Sequence, residues 1–177
     1  MSYRSWCRGA WGSLSLLWVV VALGWASPSR AEAVLLTCPG TLQARYSPGM
    51  TNTPQTIATS VSGTFGPCVG TPLTLLSASL QGGGTGQLSC LAGSTQSMST
   101  LTWNDGTTST VSVSILVSAR PLGEVVVTYS GTVSSGRFAG ADVLMVLVLA
   151  QTQVTGCFTD EGVTATAGPV VLTLTGA

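Results

Sequence analysis

The sequence predicts an all-β fold, an antiparallel β-sandwich of about nine strands, Ig-like or jelly-roll-like, built from residues 34–177. Three observations predict it. Apolar residues beyond position 33 recur at period two rather than 3.6, as on half-buried strands. Short runs rich in Val, Thr and Ser are separated by Gly and Pro clusters, the punctuation of strands joined by turns. Four cysteines fall in the same region, an even set suited to two disulfides. A barrel is the second architecture that this spacing admits.

Residues 1–33 have a different character. Arg4 and Arg8 precede an apolar stretch at 14–25, and Ala31-Glu32-Ala33 places small residues two apart. This is the three-part layout of a secretory signal peptide. The apolar stretch of about 12 residues is too short for a bilayer, which needs about 20. Cleavage is expected after Ala33, with Ala31 the alternative, leaving a secreted extracellular chain without a transmembrane anchor. Lipid attachment at Cys38 fits poorly, because Thr37 precedes it instead of Gly or Ala.

The strands are expected at 34–46, 55–65, 73–80, 87–91, 98–103, 111–117, 124–133, 142–151 and 170–175. The turns are Ser47-Pro48-Gly49, Gly82-Gly83-Gly84, Asn104-Asp105-Gly106, Arg120-Pro121-Leu122-Gly123 and Ser135-Gly136. No linker or repeat divides the domain. One hairpin can be specified further. A two-residue Asp-Gly loop would put the apolar rows of the two flanking strands on opposite faces. A three-residue loop, Asn104 to Gly106, pairs Trp103 with Thr107 and Ser99 with Val111 and keeps the odd-numbered apolar residues together. Register follows the apolar set, so the three-residue loop is expected, with Gly106 left-handed. The run Val143-Leu144-Met145-Val146-Leu147-Val148-Leu149 is apolar at every position. Such a strand is buried on both faces, or another subunit or partner covers one of them.

Cys38, Cys68, Cys90 and Cys157 admit three pairings. Chain entropy gives each bridge roughly 3–5 kcal/mol and does not choose among them. Topology favours Cys38–Cys68 with Cys90–Cys157, because the first pair is centred near Thr53, in the turn between the first two strands. A zinc site is not supported, for there is no CxxC pair and no His.

Composition removes most catalytic chemistry. With His and Lys both absent, no Ser-His-Asp or Cys-His arrangement, Schiff-base lysine or Walker loop can be assembled. The stretch Gly82-Gly83-Gly84-Thr85-Gly86 is expected to be a flexible hairpin loop and not a nucleotide cradle. Asp160 and Glu161 are adjacent, so on a strand they face opposite ways; a glycosidase pair would need Asp142 or Glu124 to meet one of them, and nothing in the sequence shows that. A calcium site using both together with backbone carbonyls lacks the loop spacing for one. Arg45, Arg120 and Arg137 stand against Asp105, Glu124, Asp142, Asp160 and Glu161. That balance makes no phosphate-binding patch, which excludes nucleic acid as a partner. No cofactor is expected.

Three stretches carry a family likeness. They are Arg45-Tyr46-Ser47-Pro48-Gly49-Met50-Thr51 with Thr53-Pro54, the run from Leu101-Thr102-Trp103 through Thr108-Ser109-Thr110, and Gly131-Thr132-Val133 through Phe138-Ala139-Gly140. With the four cysteines, they resemble a group of small secreted proteins of actinomycetes over essentially the whole mature chain. The resemblance implies a secreted location and the same fold, and no reaction. Subtilisin-inhibitor-like proteins and neocarzinostatin-like carriers also have two disulfides, but their bridges close shorter loops.

The expected function is a non-catalytic extracellular module, binding another protein or an envelope glycan, or serving as an adaptor in a secreted assembly. The competing expectation is a secreted inhibitor or small-ligand carrier. Candidate binding residues are Tyr46, Arg120, Arg137 and Phe138, since aromatic and Arg side chains beside loops most often anchor interfaces. The alternative for Tyr46 and Phe138 is that they cap the core.

Overall fold

The computed structural model describes residues 34–91, 93–117 and 124–176. The strands are β1 (Val34–Met50), β2 (Gln55–Phe65), β3 (Val69–Thr71), β4 (Ala78–Leu88), β5 (Gly93–Ser94), β6 (Gln96–Trp103), β7 (Thr108–Val117), β8 (Glu124–Gly136), β9 (Asp142–Ala150) and β10 (Val163–Gly176). A 3-10 helix, Gln151–Phe158, lies between the last two strands.

The all-β expectation holds, but the sandwich does not. Each long strand pairs antiparallel with the next, and β10 then pairs with β1 from Val34↔Gly176 to Met50↔Val163. The sheet therefore closes on itself as an eight-stranded antiparallel barrel of β1, β2, β4, β6, β7, β8, β9 and β10. β3 and β5 are short additions, pairing with β1 and β4. A sandwich and a barrel place the same alternate residues inside, so period two cannot separate them. The pairing that decides joins the two ends of the described chain, where no local signal reaches.

The glycine-rich stretch at 82–86 is also corrected. It is no hairpin loop but the middle of β4, paired with β2 on one side and β6 on the other. Those neighbours approach too closely for side chains. A Cβ on Gly82 would lie 2.1 Å from Ser99 Oγ, and one on Gly83 would lie 2.3 Å from the Thr59 carbonyl oxygen. Glycine within a strand is expected where another backbone comes this near.

The 104–106 hairpin has the expected register. Ser99 pairs with Val111, the Trp103 amide donates to the Thr107 carbonyl (2.9 Å), and Gly106 has φ +82°. Both expected disulfides are present, Cys38–Cys68 and Cys90–Cys157.

Inward rows alternate with outward rows along every strand. One end of the barrel, called here the lower end, is filled with large side chains: Leu36, Leu80, Leu101, Trp103, Phe138, Leu172 and Leu174 are all buried. Phe138 meets Trp103 edge to face at 5.8 Å and 85°, and the Trp103 indole donates to Ser109 Oγ at 2.9 Å. These contacts close the lower end. The run at 143–149 lies in β9, where Val143, Met145, Leu147 and Leu149 point into the barrel. Its other face is not buried as a central sandwich strand would require. Leu144 is 43% exposed, and Val146 and Val148 are half-buried on the outer wall beside Val171 and Val126. The outward rows of β2, β4, β6 and β7 are mostly Thr, Ser and Gln.

A candidate ligand cavity at the upper end of the barrel

The upper end receives the C-termini of β1, β4, β7 and β9 and the N-termini of β2, β6, β8 and β10. There the interior is not filled. The result is a cavity of about 60 Å³ that opens to solvent. At roughly 10–15 Å³ per water position, the enclosed part has room for only a few heavy atoms. An eight-stranded barrel is about the size at which the interior is either filled or left with space for one small ligand.

The walls are mainly apolar: Met50, Val61 and Leu88 on one side, with Ile115, Val125, Val127 and Leu149 on the other. Five hydroxyl-bearing residues, Tyr46, Tyr129, Thr59, Ser89 and Thr166, interrupt them. Four of these hydroxyls are engaged within the protein, that of Ser89 by accepting from the Leu91 amide at 3.3 Å. Tyr46 Oη and Thr166 Oγ1 are 3.0 Å apart, and Thr59 Oγ1 donates to the Gly84 carbonyl at 3.1 Å. Tyr129 is 5% exposed, and its hydroxyl has no hydrogen-bond partner among the described residues. Burial pushes the Tyr129 phenol well above its ordinary pKa, and the nearby Tyr46 adds to the effect. Burial also raises Tyr46, partly offset by its bond to Thr166. No Arg, Asp or Glu is among the described residues lining the cavity.

The mouth is bridged. β4 and β9 stand opposite one another in the ring of eight, and the Cys90–Cys157 disulfide joins the segments that follow them. Cys90 itself lines the cavity, and its amide donates to the Thr51 carbonyl at 2.8 Å. The bridge thus draws the chain after β9 toward the far rim. No protein-family model, curated protein or solved structure matches this chain.

The sequence-derived binding residues do not gather in one place. Tyr46 lines the upper cavity. Arg137 and Phe138 are at the lower end, where the Arg137 guanidinium bonds to the Asp105 carboxylate and lies 5.1 Å from the centre of the Phe138 ring. Phe138 is 5% exposed and packs in the core. Arg120 and the expected signal segment 1–33 lie outside the described residues. Asp160 and Glu161 are exposed in the turn leading into β10, and no three of His, Cys, Asp and Glu converge as a metal site among the described residues.

The sequence reading did not single out Tyr129, Thr59 or Thr166. A signal for Tyr129 existed. It falls on the same parity as Val125, Val127 and Val133, which makes it an aromatic hydroxyl in an otherwise apolar inward row.

Proposed function

We propose that this protein is an exported, disulfide-stapled barrel that carries a small, chiefly apolar molecule in its upper end and does not transform it. The observation that carries this reading is the unfilled upper cavity, enclosed by apolar walls in a barrel whose lower end is tightly packed. A concave, mostly apolar site with a few placed polar groups is the usual form of a small-molecule site. The non-catalytic part is supported by the lining, whose described titratable side chains are two phenols held protonated by burial. Export is supported by the signal-like segment and by two disulfides, which persist in oxidising compartments. The cavity favours carriage of a small molecule over the adaptor role also expected from the sequence.

Calorimetric titration of the purified protein with 2-hexanone tests the reading. Saturable binding of one equivalent is the expected result. Heats that never exceed those of dilution would remove the basis for a carrier.

A further inference from the structure

We infer that the cavity selects an uncharged apolar molecule bearing one hydrogen-bond-accepting oxygen, such as a ketone, aldehyde or ester, and that this oxygen sits on the Tyr129 hydroxyl. The inference rests on the carrier reading and specifies the ligand's chemistry.

A donor that opens onto a mainly apolar cavity without a protein partner favours an occupant that accepts from it. Thr59 satisfies itself on the Gly84 carbonyl, and Tyr46 pairs with Thr166. Tyr129 alone among the cavity's phenols and threonines faces the free space with its hydroxyl unpaired by the described residues. Ser97 Oγ, unlike the Tyr129 hydroxyl, is a fully buried atom without a partner, but Ser97 does not line the cavity. A phenol that burial keeps protonated offers a donor, which an accepting oxygen completes. A hydrocarbon would displace water from that donor without accepting from it.

Charge decides against an anionic head group. A carboxylate drawn into this cavity would lose its hydration and meet no described cation in the lining. Arg45 faces outward on β1, and Arg137 is bonded to Asp105 at the opposite end. The enclosed volume admits only a few atoms beside the phenol, so the rest of a longer ligand would extend into the mouth.

The test compares 2-hexanone, its isostere 2-methyl-1-hexene and hexanoate on the wild-type protein and on Tyr129→Phe. Wild type should bind 2-hexanone about tenfold more tightly than Tyr129→Phe does, with the alkene bound equally by both. A second readout needs no variant: the ¹³C carbonyl resonance of bound 2-hexanone should move downfield of its position in hydrocarbon solvent. Unchanged ketone affinity in Tyr129→Phe, a carbonyl resonance at its hydrocarbon position, or hexanoate bound more tightly than 2-hexanone each overturns the inference while leaving a carrier in place. If neither the ketone nor the alkene binds wild type, the carrier reading fails and this inference with it.

Discussion

The Tyr46 hydroxyl lies 3.0 Å from Thr166 Oγ1, a contact between residues 120 apart in the chain. Tyr46 is on β1 and Thr166 on β10, so the bond crosses the seam where the barrel closes. Thr166 is also the register partner of Ala44, two residues from Tyr46 on the same inward row. Tyr46→Phe should therefore destabilise the fold by about 0.5–1.5 kcal/mol, the usual net worth of one such bond. The shift in urea midpoint measures it, and Thr166→Val in a double-mutant cycle should show that the two losses are not additive.

Alkaline pH should weaken the protein. Burial raises the pKa of both Tyr46 and Tyr129 in the folded state. The unfolded chain then ionises first, near pH 10. Between that value and the folded pKa the unfolded state binds fewer protons, so stability falls as pH rises. The contribution is fully present below about pH 10 and is lost above it. Urea midpoints measured from pH 8 to 11.5 should decline beyond 10, and Tyr129→Phe should flatten the decline.

Much of the local structure was legible before the fold was known. The 104–106 hairpin could be read because a register slip there would have split Leu101 and Trp103 from Val111 and Val113, a local consequence. The Cys38–Cys68 bridge was legible for a similar reason, since the first two strands form an adjacent hairpin. Closure was not legible, because it rests on β1 meeting β10 and no short window contains that pairing. The glycines of β4 misled because glycine marks both turns and close backbone approach. Only the positions of β2 and β6 tell which. Of the cavity, Tyr46 was singled out for its residue type. Tyr129 was passed over because strand parity alone does not say which end of a barrel is left open.

The lower-end turn makes a separate prediction. The Asp105 carboxylate accepts from the Thr107 hydroxyl at 2.6 Å and the Thr107 amide at 3.0 Å, and also from Arg137. These bonds, that to the Thr107 hydroxyl foremost, hold the Asp105 pKa below its ordinary value. A group depressed in this way stabilises the fold above its unfolded pKa and loses that contribution as pH falls through the folded one. Asp105→Ala should melt at a lower temperature than wild type at neutral pH. The two melting temperatures should converge in acid, as measured by circular dichroism.

The Cys90–Cys157 bridge should serve both stability and binding. Replacing both cysteines by Ser releases a loop of 67 residues, which the chain-entropy model puts at about 4 kcal/mol. Because Cys90 lines the cavity, the variant should also bind 2-hexanone more weakly under conditions where it remains folded. Replacing Cys38 and Cys68 should lower stability comparably but leave binding unchanged, since neither lines the cavity.

The central claim is that one end of this barrel is a ligand site and the other a packed plug. Methyl-selective NMR of the protein titrated with 2-hexanone tests it most directly. Saturable shifts should appear at Ile115, Val125, Val127 and Leu149, which line the cavity, with Leu36, Leu101, Leu172 and Leu174 unmoved. Saturable shifts confined to the leucines of the lower end, or no saturable shift at any methyl, would contradict the account.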